Sequence, residues 1–449
     1  MSMALAERKK RQTLKVLLVE AFMSVAVVVT VVILVLVVSG YSIGSDYKLE
    51  QGGLLKVDSE PTGASVILDG EKLGETNFSR VVSSTEHEVV LEKEGYDTWK
   101  KKVSVSKGLL YHLRYPHLFL KERVKEHVRD FNGIEFASVS PDHNVMFLIE
   151  NDLNWSLLDL RNEKPSKKEL HPPFLADGMK FEISQALWSR NGRRVVLESV
   201  MNEQHKWLYM DLDNENNCYD LNDMFSVDFA KMTILDDSAN ELLAYSNKEL
   251  FRIDVSKKVL SASLAKNVED YYAFMNGNIM FVSNNAIWSL KGAEKENVMK
   301  LDGSARIAAV NFYNNKYLVV YANDSLAVYE GEALKEVLNE KIEINLDNLK
   351  IMDGVGYVVA RDGDTIHALD MESMKLNTWS ADTGTLGWLD KYLIYAVSDN
   401  TLFAYDFDGQ NKRQLSESVN GNYPAIITDN KWLYYFSDGA LVREWLIKK

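Results

Sequence analysis

Seven acidic or amide residues, Asp152, Asn247, Asn284, Asp324, Asp362, Asp399 and Asp438, recur in short polar turns between apolar runs. Gathered at one end of a fold, such carboxylates and amides would bind a cationic peptide, a polyol or a divalent ion. Tight turns also select Asn and Asp on conformational grounds alone. A second acidic run, Asp211, Asp213 and Glu215, has the alternate spacing of a calcium loop. There Asn216 stands where the loop needs glycine and Asn222 where it needs a bidentate glutamate. The eight histidines are scattered, with no His-Glu-x-x-His and no Cys/His cluster, so no metal centre is expected. His112 and His117 are five apart on an expected strand and fall on opposite faces. No Gly-x-Ser-x-Gly elbow nominates a nucleophile. The sequence therefore gives no catalytic residue and no cofactor site.

The turns belong to a repeat. From about residue 134 a polar dipeptide is followed by a short apolar alternation and a closing residue, at Asp159, Asp211, Asp254, Lys291, Glu330, Asp370, Asp406 and Trp445. These eight positions lie 36 to 52 residues apart, near the roughly 40–45 residues of a four-stranded propeller blade. A strand precedes each turn, as in RRVVLES, IMFVSN and WLYYFSD, and this period-two pattern excludes a helical solenoid. The last unit shows only three strands. The aromatic, apolar segment 109–120 is expected to supply its fourth and so lock the last blade to the first.

Ahead of the repeats, residues 21–38 run uncharged for about 27 Å as a helix, close to the roughly 30 Å of a bilayer core. Arg8, Lys9, Lys10, Arg11 and Lys15 precede the span and little positive charge follows it, which predicts a cytoplasmic N-terminus. The span is longer than a signal-peptide core and ends in Ser39-Gly40-Tyr41, so a retained anchor is expected. The first 45 residues carry a net charge of +3 and the remainder −17. An acidic exterior repels nucleic acid and anionic lipid. Cys218 is alone, so no disulfide staples the fold.

Residues 54–108 alternate strand-like runs with glycine-marked turns, among them the hairpin signal Asp69-Gly70. Ser59, Pro61, Thr62, Gly63 and Ala64, then Asp69-Gly70, His87, Gly95-Tyr96 and Val103-Ser104-Val105, follow the order of a PEGA domain, which this segment resembles. The resemblance implies a small β-sandwich that acts as a spacer or interaction module, without known chemistry. Tyr96 and Trp99 read as core aromatics, and Lys100-Lys101-Lys102 as a solvated strand end. Ser140-Pro141-Asp142, Trp188-Ser189-Arg190-Asn191-Gly192 and Tyr405-Asp406-Phe407-Asp408-Gly409 resemble the WD40-like repeats of the TolB-type propellers, which implies a fold and not a function.

The expected protein is mainly β: a cytoplasmic segment 1–20, a transmembrane signal anchor 21–40, a PEGA-like β-sandwich 54–108, and an eight-bladed propeller 109–449, with seven blades as the alternative. The expected role is that of a membrane-anchored binding or scaffold protein in a bacterial cell envelope. Its partners would be the membrane, through one helix, and an envelope protein or surface polymer. An envelope hydrolase or lyase whose site forms only on folding is the alternative.

Overall fold

A computed structural model describes residues 19–36, 41–43, 49–151, 154–175, 181–201, 203–274, 277–312, 315–347, 349–353, 356–381 and 385–447. The chain divides into two compact units, Met1–Leu118 and Phe119–Lys449.

In the first unit the helix Val19–Leu36 is long and apolar enough to cross a bilayer. Its two hydroxyls are satisfied internally, Ser24 Oγ donating to Glu20 O (2.9 Å) and Thr30 Oγ1 to Ala26 O (2.8 Å). This is how a spanning helix accommodates polar side chains in lipid. Beyond it a two-stranded ribbon, Tyr41–Ile43 with Leu49–Gln51, precedes two larger sheets, one of four strands and one of three. Strand Gly53–Val57 buries alternate residues, Leu55 and Val57, as expected of a sheet with one dry face. Tyr96 and Trp99 are buried, and Trp99 meets Tyr115 edge-on at 6.0 Å between ring centroids. The lysine run is not wholly solvated. Alternation along Trp99–Ser104 turns Lys101 inward, where its ammonium sits 4.8 Å from the centre of the Tyr115 ring.

The second unit holds eight four-stranded antiparallel sheets among the described residues. Seven are formed from consecutive strands. The eighth joins Ile426–Thr428, Trp432–Ser437 and Ala440–Trp445 to Lys125–Asp130, from the opposite end of the unit. Each of the eight closing residues read from the sequence ends the third strand of its sheet. Second strands such as Val145–Glu150 and Leu393–Ser398 are buried almost throughout, because both faces of each sheet are covered. Successive sheets pack face to face. Val196, Trp207 and Tyr209 meet Met232, Leu242 and Ala244, for example, and Val282 and Ile287 meet Ile307, Leu318 and Val320. Met146, Leu148 and Leu158 of the first consecutive sheet pack on Tyr434, Phe436 and Leu441 of the sheet that contains the C-terminal strands.

The fourth strand of that last sheet is not drawn from 109–120. Leu110–Leu113 runs parallel to Gly53–Val57 in the first unit, where Leu113 is fully buried. Phe119 joins the core of the last two sheets, and Leu120 N donates to Leu446 O (2.9 Å). The pairing strand is KEHVRD, Lys125–Asp130, with Lys125 opposite Glu444 and Asp130 opposite Ala440. An outermost strand is half solvated and needs few apolar residues, so its sequence looks like a loop. The apolar segment upstream is needed in the sandwich core instead.

Candidate functional site

The recurrent Asn and Asp residues sit in the hairpins between second and third strands. Asn247-Lys248, Asn284-Asn285, Asn323-Asp324, Asp399-Asn400 and Asp438-Gly439 each connect two paired strands directly. Both residues of every pair have positive φ, from 49° at Asn323 to 78° at Gly439. A two-residue turn of this hand matches the twist of the flanking strands and requires left-handed backbone, which Asn, Asp and Gly adopt most cheaply. Conformation thus accounts for the residue types. Asn247, Asn284, Asp324, Asp399 and Asp438 are all exposed.

Asp362 differs from the others. It is the last residue of strand Tyr357–Asp362, half-buried, and accepts a hydrogen bond from Asn345 N at 2.6 Å. The turn itself is Gly363-Asp364, with Gly363 at φ 59°. Asp152 lies outside the described residues. Sequence reading missed Glu203, at φ 69° in the equivalent hairpin of the second consecutive sheet.

The acidic residues that close the units have a different fate. Asp254 accepts from Ser256 Oγ, Lys257 N and Lys257 Nζ, which hold its carboxyl well below the usual range. Asp370 accepts from Glu372 N and Ser373 Oγ, and Asp406 from Asn411 Nδ2 and Arg413 Nη2. These carboxylates cap the turn into the fourth strand. The calcium-like run is spent in the same way: Asp211 accepts from Asp213 N and Asn214 N, and Glu215 from His171 N.

The histidines also serve the fold. His87 bonds Asp69 Oδ2 (2.6 Å) and Ser83 O (2.8 Å), His112 bonds Asp58 Oδ2 (2.6 Å), and His117 bonds Tyr115 O (2.8 Å). His143 bonds Ile427 O (2.8 Å), tying a turn of the first consecutive sheet to the last sheet. Among the described residues no three His, Cys, Asp or Glu side chains form a group able to hold a metal ion.

A groove of about 710 Å³ opens along Gln204, His205, Lys206 and the residues around the short helix Leu221–Phe225. Its lysine and histidine are both paired. Lys206 Nζ bridges Asp220 (3.1 Å) and Asp223, and His205 bonds Glu198 (2.9 Å). The two carboxylates raise the Lys206 ammonium above its ordinary range against the opposing effect of burial. The sequence signal was the interval from Asp211 to Asp254, 43 residues against 36 to 40 in the units that follow, which accommodates this helix.

Residues 52–116 match the PEGA domain family. The chain therefore carries a PEGA domain ahead of a series of propeller-type four-stranded sheets. No curated protein matches it. Among solved structures it is similar to the C-terminal WD40 domain of Sif2, at 10% identity and a TM-score of 0.48, covering 73% of this chain and 99% of that one. The computationally designed Ika8 protein is similar at 13% identity and a TM-score of 0.44, with 72% and 100% covered. PorZ, a bacterial surface component of the type-IX secretion system of Porphyromonas gingivalis, is similar at 11% identity and 0.42, with 70% and 42% covered.

Proposed function

We propose that this is a single-pass membrane protein of a bacterial cell envelope that acts by binding or scaffolding. In this reading the N-terminus is cytoplasmic, the PEGA domain is the spacer, and a closed ring of eight blades outside the membrane is the binding module. The observation that carries the proposal is the set of exposed hairpins at one repeated position, Asn247, Asn284, Asp324, Asp399 and Asp438. In a ring they form a rim of amides and carboxylates at one end, with Asp362 beside it. Closure is supported by the pairing of Lys125–Asp130 with Ala440–Trp445 and by the packing of Met146 and Leu148 on Tyr434 and Phe436. Orientation is supported by the five basic residues before the span. The net −17 beyond residue 45 disfavours nucleic acid, and an envelope protein or surface polymer with cationic or polyol groups is the partner class.

The test is capture from detergent-solubilised membranes with the full chain and with a charge-reversed rim, Asp324→Lys, Asp399→Lys and Asp438→Lys. Loss of the captured partner with the reversed rim, at unchanged thermal stability, is expected. Capture of the same partner at the same yield by both chains would overturn the rim as the binding face.

A further inference from the structure

The three-stranded sheet of the first unit carries an apolar row on its outer face. Val81, Leu54 and Leu110 oppose one another in register across its three strands, Leu54 in the middle. They are 41%, 39% and 44% exposed, and Leu109 beside them is 62% exposed. One rung further along the same face lie Ser79, Lys56 and His112, and both Lys56 and His112 reach Asp58. The face is thus graded along the strand direction, apolar at one end and charged at the other.

The apolar end is where the chain arrives from the helix. Gly108 N donates to Gly52 O (2.8 Å), and Leu54 N donates to Leu109 O (2.9 Å). A Cβ on Gly52 would lie 2.2 Å from Val82 O and one on Gly53 2.3 Å from Ser106 O, so these glycines let the incoming chain press into the sheet beside the row. The tether is also short. Tyr41–Ile43 pairs antiparallel with Leu49–Gln51, Tyr41 opposite Gln51. Leu36, where the described helix stops, is then separated from Leu54 by at most the reach of about eight residues plus one strand-to-strand step, about 33 Å.

We propose that Val81, Leu54, Leu110 and Leu109 rest in the interfacial layer of the bilayer that the helix crosses, so that the PEGA domain lies on the lipid surface with its Asp58 end directed away. The proposal rests on the reading of Val19–Leu36 as a membrane anchor. Apolar side chains held this close to lipid gain by leaving water, and the grading of the face places the charged rung away from the acyl boundary.

The test uses the full chain in phospholipid nanodiscs, carrying an environment-sensitive fluorophore on Lys107→Cys, in the turn beside Leu109, or on Ser79→Cys, at the polar rung. Cys218 is buried with its thiol pushed up to about 11, so it stays unlabelled in the folded protein. Lipids carrying a nitroxide near the headgroup are expected to quench position 107 at least threefold more than position 79, and aqueous iodide to do the reverse. Leu54→Asp with Val81→Asp and Leu110→Asp is expected to abolish the difference, and Leu110→Asp alone to reduce it should the triple variant melt early. Equal quenching at both positions would overturn the proposal. So would shielding of position 107 from iodide without lipid quenching, which marks a protein covering such as a second copy. A chain that stays soluble without detergent and does not enter nanodiscs would overturn the anchor reading itself, and this proposal with it.

Discussion

Arg123 donates through Nε to Glu444 Oε2 at 3.2 Å, joining the start of the second unit to its final strand across 321 residues of sequence. The two side chains are 14% and 7% exposed. Arg123 also donates to the carbonyls of Leu120 and Leu415, while Glu444 accepts from Ser416 Oγ (2.9 Å) and Tyr435 OH (2.5 Å). One guanidinium thereby bonds the incoming segment, the last sheet and the sheet before it.

Arg123→Ala leaves Glu444 buried without its cation, a change that costs about 3 kcal/mol. Thermal unfolding of the purified protein is expected to show a clearly lowered midpoint. Arg123→Ala combined with Glu444→Ala should cost less than the sum of the two single changes, and additivity would show that the contact contributes nothing of its own.

The strand Lys125–Asp130 covers the edge formed by Ala440–Trp445. A chain beginning at residue 131 should expose that edge and associate, as seen by light scattering, whereas one beginning at 119 stays monomeric. Monomeric behaviour of the shorter chain would remove the strand from any closing role.

Lys248 holds φ 61° in the hairpin after Asn247, an unfavourable conformation for a side chain with a Cβ. Lys248→Gly converts the turn to Asn-Gly and should raise stability by about 0.5–1 kcal/mol in chemical denaturation, the relief of left-handed backbone outweighing the added freedom of the unfolded chain.

His112 has its pKa lowered, because burial outweighs the opposing hydrogen bond and charge of Asp58, and burial lowers His367 as well. The unfolded chain therefore takes up protons at these positions more readily than the folded one. Stability contributed this way is complete above the ordinary histidine value of about 6.5 and falls as pH drops below it. Melting midpoints should decline between pH 7.5 and 5.5, and His112→Gln should flatten the decline. An unchanged slope would assign it to other groups.

Cys218 is buried and its thiol is raised to about 11 by desolvation. At pH 8 its thiolate fraction is about a hundredfold below that of an ordinary cysteine, so a thiol reagent should react on the timescale of unfolding and no faster. Rapid labelling of the folded protein would place the residue at the surface.

The periodic features are legible along the chain. Eight closing positions from Asp159 to Trp445 mark the ends of third strands, because a two-residue hairpin and the capped turn after it impose residue types that local sequence displays. The Asp69-Gly70 hairpin and the uncharged run 21–38, where the described helix is Val19–Leu36, were legible for the same reason: backbone conformation and a long uncharged span are local properties. Which distant segments meet is set by long-range pairing and packing. The apolar segment 109–120 was expected to supply the last strand of the ring, but its part Leu110–Leu113 pairs with Gly53–Val57, while the polar strand Lys125–Asp130 pairs with Ala440–Trp445. An outermost strand is specified by its hydrogen bonds to a partner, and side-chain pattern carries little of that information. Lys101 turned inward and Asp362 shifted from turn to strand end on similar grounds, since a one-residue change of register inverts the face a side chain occupies.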